Sequence, residues 1–297
     1  AGFLSIWCLY HLANRLTQEK AVAVFAATFL ATCVPALLYF RTSRYVALPI
    51  LLTPILLLFY IDIFEKRKWN PIPFTVTSII FFHTMYVEFA GLILGMLTHL
   101  FLYRKDVEPS NLKRIRIPAV ITAFLCLPWL LFLPALSKKI SEFYTSTSLL
   151  IDTSSLGYLK HFMGFLFQIN NYIFPLILIL FVFLEKFRKP FSLLVISAFF
   201  IILTASLHSI PLLQYISASI PIFFILLGWL VFYLFKGSII QQGILVGLLV
   251  SSNIVHVIPL IPIKQILPPS STEAPPSLYM QGIYQTFMRE VEIKSIF

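Results

Sequence analysis

Apolar segments alternate with short loops along almost the whole chain, and every second loop carries clustered lysine and arginine. The densest cluster is Arg104-Lys105 with Lys113-Arg114-Ile115-Arg116. A helix needs about 20 apolar residues to cross about 30 Å of hydrocarbon, and basic loops stay on the cytoplasmic side. The pattern therefore predicts an all-α fold, a polytopic transmembrane helical bundle, together with its orientation. Composition agrees, with 59% of residues hydrophobic and 11% charged, against roughly 25% charged in soluble domains. The net charge of +10 is divided among separate short loops, so it reads as a topology signal and not as a nucleic-acid surface. Cys8, Cys33 and Cys126 all fall in apolar runs without metal or disulfide spacing, and read as buried small hydrophobes.

About ten spans are predicted, at 1–14, 21–40, 45–64, 71–83, 86–103, 117–136, 168–184, 190–207, 215–235 and 239–259. The span at 71–83 is too short alone. Pro71 and Pro73 open it and His83-Thr84-Met85-Tyr86 close it, so two short helices meeting at a polar turn are expected. Pro35, Pro54 and Pro221 are expected to kink their spans. Loops 15–20, 65–70, 104–116, 185–189 and 236–238 carry the basic residues and are assigned to the cytoplasm. The outer side receives 41–44, the turn at His83, a long loop at 137–167 with the pattern of a short amphipathic interfacial helix at Lys138 to Tyr144, the 208–214 loop, the tail and Ala1. Two parts are expected: a multi-span domain over 1–260 and a Pro-rich linker with a short extracytoplasmic tail over 261–297. The chain opens inside an apolar run with no Met and no basic leader, and reads as an N-terminally truncated piece or processed form of a longer membrane protein.

Charge near a membrane face is costly, which makes each such residue at the outer side a candidate. Arg41 and Arg44, three residues apart in Tyr39-Phe40-Arg41-Thr42-Ser43-Arg44-Tyr45, have the spacing to grip a phosphate, or else snorkel to headgroups. Lys138 and Lys139 follow a span at the same face and meet a lipid phosphate or lie among headgroups. His83 and Glu88 flank the polar turn. They read as sugar contacts, a general base or part of a divalent-ion site, or as a hydrogen-bonded pair holding the helix junction. Two ligands alone do not make a metal site. Gln214 and Tyr215 are polar groups at an outer helix end. Gly91-Leu92-Ile93-Leu94-Gly95 is a GxxxG and predicts close helix packing.

In order and sidedness these motifs resemble the C-type membrane glycosyltransferases that use polyprenyl-phosphate-linked sugars, the superfamily of protein O-mannosyltransferases and the lipid A aminoarabinose transferase. An Arg-containing cytoplasmic turn of that family is similar to Leu9-Tyr10-His11-Leu12-Ala13-Asn14-Arg15-Leu16. Its Ser-Arg-Glu-x-Arg-Pro-Tyr-like outer loop resembles Arg41-Thr42-Ser43-Arg44-Tyr45, its Trp-containing turn Lys68-Trp69, and its Thr-His-Tyr at a broken helix pair Phe82-His83-Thr84. A late Arg-Tyr before a Pro-containing span corresponds to Gln214-Tyr215 before Ser219-Ile220-Pro221. The chain departs from the pattern at Gln214, which replaces an arginine, and in lacking the proline before Tyr45. The resemblance implies sugar transfer from a polyprenyl-phosphate donor to a lipid, glycan or protein acceptor at the outer face of the cell membrane. In it, Arg41, Arg44, Lys138 and Lys139 hold the donor phosphate, and Tyr45, His83, Glu88, Gln214 and Tyr215 line the sugar pocket or the helix junction. The family's general base sits in a first outer loop that would precede Ala1, and its role passes to none of Glu88, Glu142, Asp152, Glu273, Glu290 or Glu292. The alternatives are a transporter or flippase for lipid-linked or anionic substrates, and a non-catalytic membrane protein.

Overall fold

The computed structural model describes residues 2–41, 45–65, 69–146, 155–172, 189–207 and 213–257, and all regular structure among them is helical. The helices are α1 (Gly2–Thr17), α2 (Lys20–Thr32), α3 (Val34–Arg41), α4 (Ala47–Glu65), α5 (Pro71–Thr84) and α6 (Tyr86–Leu102). They continue with α7 (Pro109–Ser146), α8 (Ser155–Tyr172), α9 (Lys189–Ala205), α10 (Ile220–Leu234) and α11 (Ile239–Val257). Short 3₁₀ pieces at Arg104–Asp106 and Leu213–Ser219 precede α7 and α10. The chain divides into a unit at Ala1–Val255 and another at His256–Phe297. The tail at 261–297 lies outside the described residues.

Among the described residues two helical stretches, Ala47–Glu65 and Leu213–Leu234, are long and apolar enough to cross a membrane, and α2 with α3 make a third if that bent pair is one span. Shorter apolar helices fall on Pro71–Thr84, Tyr86–Leu102, Phe191–Ala205 and Ile239–Ser251. The expected pair of short helices is present: α5 ends and α6 begins at Met85, whose backbone (φ −148°, ψ 82°) leaves the helical region. Asn70 starts α5 by accepting the N–H of Ile72 at 3.1 Å, with Pro71 in the first turn where no N–H is needed.

The prolines act in three ways. Pro35 breaks its span at Cys33, and α2 and α3 meet at 62°, because a proline lacks the N–H and crowds the preceding turn. Pro54 is carried inside α4 without a break. Pro221 does not kink a span but lies in the first turn of α10; the irregular residue there is Ile216 (φ −127°, ψ 19°). The long outer loop expected at 137–167 is corrected as well. Helix α7 runs on through Ser146 and α8 starts at Ser155, so most of that segment is helix. Lys138 to Tyr144 is helix-permissive and carries apolar residues on one side, so nothing local ends α7 at residue 136. At about 1.5 Å per residue its 38 residues reach about 57 Å, well beyond a hydrocarbon core.

The core is built on close helix contacts. From Ile220 to Gly228 every residue of α10 is buried, and a Cβ on Gly228 would lie 2.9 Å from the Val22 carbonyl oxygen of α2. The GxxxG of α6 meets α9 in the same way: a Cβ on Gly95 would lie 2.5 Å from Ser197 Cα, and one on Gly91 2.6 Å from Ile201 Cα. Small residues let backbones approach where lipid offers no hydrophobic incentive to associate. All three cysteines are buried and none forms a disulfide, as expected.

Polar contacts define one end of the bundle. Arg15, in the last turn of α1, reaches Asp62 (2.5 Å) and Glu65 (2.6 Å) at the end of α4. Burial works against the charge on Arg15, but hydrogen bonds to Glu65 and Asp62 outweigh it and hold the guanidinium above its usual pKa. The Trp69 indole N–H donates to the Phe59 carbonyl at 2.9 Å, and its backbone N–H donates to Asn111 Oδ1 at 3.2 Å. Asn111 Nδ2 in turn donates to the Ile63 carbonyl at 3.0 Å. The end of α4, the start of α5 and the start of α7 therefore share this end. The end of α6 joins them through the Tyr60 hydroxyl, 2.8 Å from the Met96 carbonyl and 3.0 Å from His99 Nδ1. These are the turns that the basic loops assign to the cytoplasm.

Arg15→Met is expected to lower stability by about 1–2 kcal/mol, because it strands the acids of α4, tempered by their partial exposure. Adding Asp62→Asn should recover part of that loss in a detergent melting experiment. No recovery would mean that Arg15 contributes packing alone.

Candidate functional site

Helix α4 runs from the Arg41–Tyr45 connection to the Arg15 end, and α6 runs from Met85 to the same end. The α3–α4 connection and the α5–α6 turn accordingly share the opposite end. The 3₁₀ segment Leu213–Ser219 joins them there, because it is bonded to the first turn of α6 through Glu88. The Glu88 side chain is fully buried. The Ser217 hydroxyl donates to its two oxygens at 3.1 and 3.2 Å, and the Ala218 N–H donates to Oε1 at 3.2 Å.

The candidates from the sequence divide accordingly. Arg41 is the last residue of α3 and is exposed, and Tyr45 is exposed where the chain turns into α4, its carbonyl accepting the Leu48 N–H at 3.0 Å. His83 is exposed near the end of α5, edge-on to Phe82 at 5.3 Å. Gln214 and Tyr215 are half-buried in the 3₁₀ segment. Arg44 lies outside the described residues. Lys138 and Lys139 are on the α7 backbone.

The structure does not pair His83 with Glu88. The first faces out, while the second is turned into the bundle and satisfied by a segment 129 residues away in sequence. The junction is instead held by the backbone, through the Met85 N–H to the Phe81 carbonyl at 2.9 Å and the Phe89 N–H to the Met85 carbonyl at 3.0 Å.

Ser217 and Ala218 are partners of Glu88 that its sequence neighbourhood does not announce. Serines just before Ile220-Pro221 are a helix-start signal, and a helix start offers unpaired N–H groups and the positive end of a dipole to a carboxylate. No group of three or more His, Cys, Asp or Glu converges to hold a metal among the described residues. The Glu88 oxygens are taken up by O–H and N–H donors. The possible divalent ion therefore has no fitting ligand set among them, and no step below passes through one.

The end opposite the basic turns thus carries an exposed arginine, tyrosine and histidine and a half-buried Gln-Tyr, with two or three membrane-length helices among the described residues. Compared with protein-family models, curated proteins and solved structures, the chain matches none.

Proposed function

We propose that this protein is a multi-pass glycosyltransferase of the cell membrane, of about ten spans, that moves a sugar from a polyprenyl-phosphate donor to a lipid, glycan or protein acceptor at the extracytoplasmic face. One observation carries the reading. By the direction of their helices, Arg41, Tyr45, His83 and the Gln214–Tyr215 segment all fall at the bundle end opposite Arg15, Trp69 and Asn111. These are the motifs that resemble the outer face of the C-type transferases, and their sharing one end of the bundle supports the reading.

In such a reaction a general base takes the proton of the acceptor hydroxyl, whose oxygen attacks the anomeric carbon. The carbon–oxygen bond to the lipid phosphate breaks, and the phosphate leaves with the electron pair. Cations hold the departing phosphate and stabilise the charge that develops on it. Arg41 and Arg44, with Lys138 and Lys139, are assigned that role, and Tyr45, His83, Gln214 and Tyr215 are assigned the sugar pocket. Gln214, standing where the family has an arginine, leaves the phosphate more dependent on Arg41 and Arg44. The resemblance places the base in an outer loop that no segment from Ala1 onward matches.

A transporter is the weaker reading. It needs ionisable groups near the bilayer centre, whereas Glu88 lies in the first turn of α6, His99 in its last turn, and Asp62 near the end of α4.

The test is transfer of a radiolabelled sugar from its polyprenyl phosphate by the full-length protein in membrane vesicles. Arg44→Ala is expected to reduce transfer about a hundredfold with insertion unchanged, the scale of losing a donor to developing charge. Normal turnover by a correctly inserted Arg44→Ala protein would sink the assignment.

A further inference from the structure

We infer that Glu88 is a positioning residue: its carboxylate latches the Leu213–Ser219 segment to α6 and so sets where Gln214 and Tyr215 stand in the outer wall, without itself touching substrate. The site roles of Gln214 and Tyr215 rest on the function proposed above; the latch itself does not.

Helix α10 is held along its length by burial, from Ile220 through Gly228. The segment before it is not regular. Ile216 leaves the helical region (φ −127°, ψ 19°), and a helix that restarts there presents the N–H groups of its new first turn without partners inside the helix. Glu88 meets that first turn. Its Oε1 accepts the Ala218 N–H, and both oxygens accept from the Ser217 hydroxyl. The Ser219 hydroxyl closes the same turn by donating to the Ile216 carbonyl at 2.6 Å.

A carboxylate with no exposed surface is costly unless its charge is met. Here the Ser217 and Ala218 donors and the positive end of the α10 dipole offset part of that cost. Glu88 is itself held rigidly, one turn before Gly91, in the part of α6 that lies backbone to backbone on α9. The latch therefore ties the turn before α10 to a helix pair in close backbone contact. Gln214 and Tyr215, on the near side of the irregular residue, keep partial exposure while Glu88 has none. That separates the residue that positions from the residues that are positioned.

The experiment uses the full chain in membranes with Gln214→Cys as a reporter for a membrane-impermeant maleimide, and needs no donor or acceptor. Cys8, Cys33 and Cys126 are buried thiols outside any disulfide, and serve as internal monitors of global unfolding. Adding Glu88→Ala is expected to raise the labelling rate at 214 about tenfold, the scale of losing hydrogen bonds to a charged group, with the native cysteines still protected. Ser217→Ala should give a smaller rise, and little beyond Glu88→Ala when the two are combined. Glu88→Gln keeps an acceptor for Ala218 and should stay within about threefold of the parent, so it also reports if Glu88→Ala does not fold. An unchanged rate in Glu88→Ala, or a tenfold rise that exposes the native cysteines equally, would overturn the latch. So would loss of sugar transfer in Glu88→Gln at unchanged labelling, which would place the carboxylate on substrate. Absence of transfer by the parent protein, with the labelling pattern as expected, would count against the proposed function and leave the latch standing.

Discussion

Gly95→Leu is expected to destroy the packing of the bundle. Overfilling a core whose side chains can shift costs about 1–3 kcal/mol. At this position the obstacle is backbone: the new Cβ would lie 2.5 Å from Ser197 Cα and 3.1 Å from Ser197 N. A neighbouring Gly91→Leu meets Thr204 Oγ1, Ile201 Cα and the Phe200 carbonyl oxygen, the last two at 2.6 and 2.7 Å. Either change must push α6 and α9 apart along their length, and a loss of about 4 kcal/mol or more is expected. The measurement is the yield of monodisperse protein in detergent and its melting temperature. The second GxxxG of the chain supplies the control, since a Cβ on Gly243 or Gly247 of α11 meets nothing within 4 Å among the described residues. Gly243→Leu and Gly247→Leu should melt close to the parent. A Gly95→Leu protein that did the same would mean that α6 and α9 are not in backbone contact.

Trp69→Ala comes next in expected size. The indole is 1% exposed, packs edge-on against Phe74 at 5.5 Å and donates to the Phe59 carbonyl at 2.9 Å. Its backbone is gripped from α7, by Asn111 at the N–H and by Arg114 Nη1 at the carbonyl, 3.1 Å away. Emptying the site is expected to cost about 3–5 kcal/mol and to loosen the turn that joins α4, α5 and α7. Trp69→Phe keeps most of the volume and loses the N–H donor, for about 1–2 kcal/mol. Melting of the two variants separates packing from hydrogen bonding. Equal losses would assign the effect to the Phe59 bond, and no loss in Trp69→Ala would contradict the burial of the indole.

Much of this was legible in the chain because the governing costs are local. Arginine and lysine avoid the hydrocarbon, so the loops holding Arg15, Trp69 and Arg104 could be grouped before any contact was known, and Arg15, Trp69, Asn111 and Tyr60 do meet at one end. Pro71, Pro73 and the polar turn announced two short helices, and Gly91 with Gly95 announced a close helix contact. Other features failed to announce themselves for physical reasons. Lys138 to Tyr144 has the pattern of a short separate helix yet continues α7, since nothing there opposes helix and a continuing turn satisfies its own backbone. Two carboxylates near the end of α4, Asp62 and Glu65, were readable as charges but not as the partners of Arg15 in another helix.

The fate of Glu88 marks the boundary between the two kinds of knowledge. Five residues separate it from His83, and proximity in sequence pointed to that pair. Sequence by itself determined the helical class and the alternation of apolar stretches and basic turns, because helix periodicity and the cost of burying charge act over a few turns. Which donors would satisfy Glu88 was decided only when α6 settled on α9 and the start of α10 came within about 3 Å. A hydrogen bond is that short-ranged, so its partner is whatever the packing of distant helices delivers; here it delivered Ser217 and Ala218.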